Sequence, residues 1–206
     1  MLDRSKTEDK AGVKAAAAHF VDYSRRLSAT MEAFDWQPVV ELADEIADCA
    51  RTGRKLFIAG NGGSAGNAVH LANDFLYAWS KQFGRGIRVN ALPANSAVVT
   101  CLANDEGYDE VFAAQLGIHA DKGDVLLVFS GSGNSPNILR AIEKAREMGV
   151  RTFAVLGFDG GKARAMCDVP IHFQVNDMQI AEDMQLIIGH MIMQHLGANR
   201  DTLGRI

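Results

Sequence analysis

Twice along the chain a short apolar run breaks into a glycine- and serine-rich turn and then into a helical pattern. The first is Lys55-Leu56-Phe57-Ile58-Ala59 followed by Gly60-Asn61-Gly62-Gly63-Ser64. The second is Asp124-Val125-Leu126-Leu127-Val128-Phe129 followed by Ser130-Gly131-Ser132-Gly133-Asn134-Ser135. The first run reads as a short apolar strand, and the second, apolar without a break, predicts a strand covered on both faces, the condition of a strand inside a parallel sheet. Pro136 opens the helix after the second loop, where its missing N–H costs no hydrogen bond. Repeated strand–turn–helix units of this kind constrain the chain to an α/β fold, a parallel sheet with helices on both faces.

The rest of the pattern fits that frame. Residues from about Asp9 to Met31 read as an amphipathic helix with Val13, Ala17, Phe20, Val21 and Leu27 on one side. A second helix covers Gln37 to Thr52, with Gly53 placed to end it. The helix after the first loop is expected to reach about Trp79, and the helix after the second to end at Met148 before Gly149. Arg151 to Leu156 follows as a strand, Val169 to Phe173 as a short edge strand, and Met178 to His195 as a helix that stops near Gly197. No linker, repeat or low-complexity tract interrupts the 206 residues, so one domain is expected over 1–206. The N-terminal helical segment, about residues 1–53, precedes the first strand, and its apolar stripe suits packing on its own domain as well as on another subunit.

Composition excludes several classes. The formal net charge of −4, with no basic block, argues against nucleic acid as a partner. Cys49, Cys101 and Cys167 are far apart and lack metal-binding spacing; they are expected as buried, reduced thiols of a cytoplasmic protein. The segment from Met1 to Lys14 is charged and has no apolar signal core, and no apolar run approaches the ~18 residues of a membrane span.

Both loops stand where a strand ends and a helix begins, the place where open α/β sheets bind ligands. A helix N-terminus presents free N–H groups and a partial positive charge, which suits an anion. The Ser130, Ser132 and Ser135 hydroxyls can converge on one phosphate from a single turn. The first loop is no dinucleotide fingerprint, because Ala65 stands where GxGxxG needs its last glycine, and no GK[ST] marks a Walker loop.

Four ionisable residues form a second constellation. His70 and Asp74 are four apart on one helix face, and Glu182 and His190 are about two turns apart on the last helix. Two imidazoles and two carboxylates can make a tetrahedral divalent-metal site. His190 is flanked by Ile187, Ile188, Met191 and Ile192, which predicts a buried imidazole in need of a partner. Residue types alone leave blander readings open. Asp74 also reads as a solvated helix charge and Glu182-Asp183 as a solvated acidic face, while His19, His119, His172 and His195 read as surface or satisfied residues.

Taken in order, Gly60-Asn61-Gly62-Gly63-Ser64-Ala65 with His70, Ala103-Asn104-Asp105, the loop from Ser130 to Ser135, and Gly157-Phe158-Asp159-Gly160-Gly161 resemble the sugar isomerase (SIS) domain family over nearly the whole chain. The nearest resemblance within it is to the phosphoheptose isomerases. That resemblance implies a flavodoxin-like α/β sandwich, a homotetramer with sites between subunits, and isomerisation of sedoheptulose 7-phosphate to D-glycero-D-manno-heptose 7-phosphate for lipopolysaccharide or capsule heptose. It implies a divalent metal, zinc in some members. By motif, Asn61, Gly62, Ser64, Ser130, Gly131, Ser132 and Ser135 would hold the phosphate and Asp105 would line the sugar site. His70, Asp74, Glu182 and His190 would form the catalytic and metal cluster, with Asp74 as base, His190 as its acid partner and Glu182 as the alternative base.

The chain departs from the family pattern at specific places. Asp74 stands where Glu is usual, and Glu182 where Gln is usual in a stretch that here reads Ile180-Ala181-Glu182-Asp183-Met184-Gln185. Gly131 replaces a usual Thr, and the usual Arg after the acid is absent from Phe75-Leu76-Tyr77-Ala78-Trp79. The same superfamily holds non-catalytic sugar-phosphate sensors and a relative that binds the bacterial replication initiator. That relative lacks the acid and the histidine that Asp74 and His190 provide here, so an enzyme is expected.

Overall fold

The computed structural model describes residues 4–78, 80–81, 84 and 86–199, the side chains of 4–16 and 78 excepted. The expected helix end at Trp79 and the place of Val13 in the first apolar stripe lie outside those residues. Two units are distinguished, Met1–Asp35 and Trp36–Ile206. The first is helix α1, Arg4–Glu32. Within it Asp22 accepts from Arg25 and Arg26, one turn further on, at 2.8 and 2.9 Å.

The second unit is built on five parallel strands in the order β2-β1-β3-β4-β5. The strands are β1 (Lys55–Gly60), β2 (Arg88–Ala91), β3 (Val125–Ser130), β4 (Arg151–Leu156) and β5 (Val169–His172). This is the doubly wound, flavodoxin-like order. The helices are α2 (Gln37–Thr52), α3 (Gly63–Asn73), α4 (Ser96–Asp105), α5 (Ala113–His119), α6 (Pro136–Glu147), α7 (Ala163–Met166) and α8 (Met178–Ala198). One sheet face packs Phe57, Leu126, Val128 and Ala154 against Leu116 of α5 and Ile138, Ala141 and Ile142 of α6. Side chains alternate faces along a strand, so Leu56, Ile58, Val125, Leu127 and Phe153 turn the other way, toward α2, α3 and α8. The apolar runs at β1 and β3 are apolar throughout because both of their faces are buried.

Four local expectations need correction. β2 escapes the sequence pattern because it is a four-residue edge strand whose Arg88 and Asn90 face solvent. The helix after the first loop is α-helical only to Asn73 and continues as a π-turn, Asp74–Ala78. The last helix runs through Gly197 to Ala198, because burial of Leu196 outweighs the glycine stop signal. Cys49 and Cys167 are buried as expected, but Cys101 is exposed, since α4 buries none of its residues fully. Among the described residues no helix is long and apolar enough to cross a membrane.

Candidate functional site

The two glycine- and serine-rich loops leave the carboxyl ends of β1 and β3, which are neighbours in the sheet. The strand order reverses between them, and such a switch point opens a crevice. The resulting pocket encloses about 170 Å3 and is lined by Asn61, Ser64, Phe129, Ser130, Gly131, Ser132, Ser135, Met178 and Glu182. Helix α3 begins behind Gly62, whose φ of 55° and ψ of −121° exclude other residue types, and no side chain caps it. Ser135 stands at the N-cap of α6 without spending its hydroxyl on the helix. Pro136 has no N–H, and Ala65 N and Ile138 N already bond the Gly62 and Ser135 carbonyls, so the N–H groups of Gly63, Ser64 and Asn137 are those left for a ligand, and both helix dipoles favour an anion. Ser130 Oγ accepts from Gly133 N at 3.1 Å and Ser132 Oγ from Asn134 N at 3.3 Å. These bonds shape the turn and leave each hydroxyl proton to donate.

Asn61 is held more firmly than its loop position suggested. Its carboxamide pairs reciprocally with that of Asn137, at 2.8 and 2.9 Å, and its Oδ1 accepts from the Tyr108 hydroxyl at 3.0 Å. Asn137 is buried in the first turn of α6 and so ties one phosphate loop to the other. Sequence reasoning missed Asn137 and Tyr108. The available signal for Asn137 was a lone amide in an otherwise apolar helical start, beside Pro136.

His70, Asp74 and His190 come together as a second centre. The two Nε2 atoms are 3.1 Å apart, and Asp74 Oδ2 lies 3.3 Å from His70 Nε2 and 3.5 Å from His190 Nε2. One ligand atom from each lies within 4.8 Å of the others. Ligands about 2.0–2.1 Å from a tetrahedral ion sit roughly 3.3 Å from one another, so the spacing of these three groups is one that could hold a divalent metal ion. His190 is not buried as its neighbours predicted: both imidazoles are 49% exposed and Asp74 21%. Of its apolar neighbours only Ile188 and Ile192 are buried, while Ile187 is half-buried and Met191 is itself exposed, so position 190 lies on the open side of α8, where the imidazole meets His70.

Glu182 does not join these three. Its carboxylate lies over the first loop, with Oε2 2.5 Å from where a Cβ on Gly63 would stand, and it lines the phosphate pocket. Eight residues along a helix span about 12 Å, which separates Glu182 from His190. Asp105 lies apart from the pocket lining, at the end of α4, where it accepts from Asn104 at 2.7 Å and from Cys101 Sγ at 3.4 Å. The Asn104 bond, then that of Cys101, holds its carboxyl below the usual range.

Helices α3 and α8 bring the two centres into one line. Asn67 Nδ2 reaches across to Gln185 Oε1 at 2.9 Å and to the Glu182 carbonyl at 3.0 Å. One turn on, Gly189 receives Leu71, and beyond it His70 meets His190. Contacts at 63/182, 67/185, 71/189 and 70/190 thus align a phosphate pocket and a His/Asp cluster along one helix pair.

An α/β sheet with two phosphate-type loops at its switch point defines a phosphosugar-binding domain, and residues 19–157 match the SIS domain family. The chain is 38% identical to the phosphoheptose isomerase of Pelobacter propionicus over 170 residues, covering 82% of this chain and 89% of that one. Its fold superposes on a phosphoheptose isomerase from Neisseria gonorrhoeae with a TM-score of 0.80 at 28% identity, covering 90% of this chain and 98% of that one. For the Francisella tularensis phosphoheptose isomerase the TM-score is 0.83 at 23% identity, covering 91% and 98%. The chain belongs to the phosphoheptose isomerase family and is a phosphosugar isomerase.

Proposed function

We propose that the chain interconverts sedoheptulose 7-phosphate and D-glycero-D-manno-heptose 7-phosphate through a cis-enediol. The observation that carries this reading is the spacing of the two centres. An anion pocket and a proton-transfer cluster about 12 Å apart along α8 suit an extended sugar of six or seven carbons held by its terminal phosphate. A triose phosphate is too short to engage both.

The chain's own groups divide the work. The backbone N–H groups of Gly63, Ser64 and Asn137, with the hydroxyls of Ser64, Ser130, Ser132 and Ser135 and the remaining side-chain N–H of Asn61, hold the phosphate. Asp74 takes the proton from the carbon beside the carbonyl, and His190, which shares its Oδ2, passes a proton to the carbonyl oxygen. Asp74 then returns its proton to the neighbouring carbon, while His190 recovers a proton from the hydroxyl that becomes the new carbonyl. Asp74 Oδ2 faces the imidazoles while Oδ1 accepts a 3.3 Å bond from Asn73, so the carboxylate presents two differently placed oxygens. Glu182 stands at the phosphate end, away from the reacting carbons, which favours Asp74 over Glu182 as base. His70, Asp74 and His190 would hold a divalent ion, zinc by this donor set, through the two Nε2 atoms and Asp74 Oδ2; when bound it would supply polarisation of the carbonyl and hydroxyl oxygens in place of the proton from His190 and leave Asp74 Oδ1 as the base. The reading includes a cytoplasmic homotetramer that uses the N-terminal helical residues, about 1–53, for assembly, and a role in heptose supply for surface polysaccharide.

The test is turnover of sedoheptulose 7-phosphate followed by NMR, with Asp74→Asn and Glu182→Gln beside the parent chain. Asp74→Asn is expected to lose turnover while still binding phosphate; Glu182→Gln is expected to retain it. If no ketose phosphate is converted, the isomerase reading fails and a phosphosugar-binding protein remains.

A further inference from the structure

The first turn of α8 presses onto the ends of three strands. Met178, Ala181 and Glu182 stand at i, i+3 and i+4, one face of a helix, and each meets a loop glycine. Met178 Sδ lies 2.5 Å from the position a Cβ on Gly131 would take, and its Cε 3.3 Å. Ala181 Cβ lies 2.6 Å from the corresponding point on Gly157, and Glu182 Oε2 2.5 Å from that on Gly63. Asp177 anchors the turn by accepting from Gln179 N at 3.0 Å and Ile180 N at 3.2 Å. Ala181 is buried, whereas Met178 and Glu182 line the phosphate pocket.

Met178 differs in kind from the rest of that lining. Asn61, Ser64, Ser130, Ser132 and Ser135 offer polar groups, and Phe129 is fully buried at 1% exposure. Met178 is 39% exposed, so its thioether stands at the mouth of the pocket. It occupies the space that a side chain at 131 would take. A thioether on three rotatable bonds makes an adaptable apolar wall. It has no proton to donate to a phosphate oxygen.

We propose that Met178 is a specificity-determining residue that makes the pocket select primary phosphate esters over secondary ones. A CH2–O–phosphate end lies flat against the sulfur; a carbon carrying two further substituents collides with it. Gly131 is the partner that makes room for this wall. The proposal rests on the phosphosugar reading above, and deepens it by naming the ester class.

The experiment measures calorimetric binding of glycerol 1-phosphate and glycerol 2-phosphate to the full chain and to Met178→Ala, Met178→Leu, Gly131→Ala and the double variant Gly131→Ala/Met178→Ala. Small differences in an apolar wall discriminate ligands about 10–200-fold; the partial exposure of Met178 places the expectation at the lower end. The parent chain and Met178→Leu are expected to prefer glycerol 1-phosphate about tenfold, and Met178→Ala to lose that preference. Gly131→Ala is expected to weaken both esters, and the double variant to regain glycerol 1-phosphate binding to the level of Met178→Ala. Met178→Ala changes an exposed first-turn residue, so its fold, checked by circular dichroism, is expected to persist even if Gly131→Ala fails to fold. Undiminished preference in Met178→Ala overturns the proposal alone. A parent chain that binds neither ester nor sedoheptulose 7-phosphate overturns the phosphosugar reading beneath it.

Discussion

Gly189→Ala is the sharpest perturbation of the helix pair that carries the site. A Cβ at position 189 would lie 2.3 Å from Leu71 Cδ2, 2.5 Å from Cδ1 and 2.9 Å from Cγ. Carbon atoms prefer about 3.5–4.0 Å, so the shortfall exceeds about an ångström. Leu71 is 1% exposed and so does not swing into solvent, and because its Cγ is among the atoms met, turning its methyl groups does not clear the overlap; α8 is expected to move away from α3. Overpacking of this kind costs about 1–3 kcal/mol. For a domain of this size each kcal/mol lowers the melting temperature by roughly 2–4 °C, so the expected fall is roughly 2–12 °C. The same movement separates His190 from His70, now 3.1 Å apart, and a displacement of about 1 Å at a catalytic group costs on the order of 100-fold in rate. The assay pairs thermal unfolding with turnover. Leu71→Ala in the same chain is expected to recover part of both by opening space. Gly66→Ala is the control, since a Cβ there meets nothing within 4 Å and the helix gains about 0.5–1 kcal/mol. A Gly189→Ala chain that melts and turns over like the parent would refute the close-packing argument.

Further expectations follow from the same geometry. Zinc or cobalt added after chelation is expected to raise the melting temperature, by about 2.7 kcal/mol of stabilisation at a hundred times its Kd; His70→Ala and His190→Ala should each abolish the shift, and a shift that survives both places the ion elsewhere. Asn137→Ala leaves the Asn61 carboxamide without its reciprocal partner, and is expected to cost about 1–3 kcal/mol and to raise KM more than it lowers kcat, read by denaturant unfolding and steady-state kinetics. Glu182→Gln removes a carboxylate from the anion pocket and is expected to tighten binding of inorganic phosphate about tenfold, since like charges repel across so short a distance; unchanged affinity would mean the carboxylate turns away when phosphate arrives. A thiol reagent near neutral pH is expected to modify exposed Cys101 in the native chain and all three cysteines only after unfolding. Burial pushes Cys49 up to about 12 and Cys167 up to about 11, while the Asp105 carboxylate raises the Cys101 thiol and slows its reaction.

The sequence by itself determined the α/β class, the two anion-binding loops and the candidacy of His70, Asp74 and His190. Those features are written in local chemistry: apolar runs that need cover on both faces, glycines and serines at helix starts, and spacings that place side chains on one helix face. Tertiary structure alone decided which candidates meet. Glu182 and His190 share a helix, yet one lies over Gly63 and the other against His70, because helix rise carries them to different ends of the ligand. The exposure of His190, the Asn61–Asn137 pair and the seat of Met178 on Gly131 all depend on how closely α8 approaches the loops and α3. That approach is set by glycines at 63, 131, 157 and 189. In the sequence they are indistinguishable from glycines that only turn the chain, because what makes them necessary is the side chain that each one faces from a distant part of it.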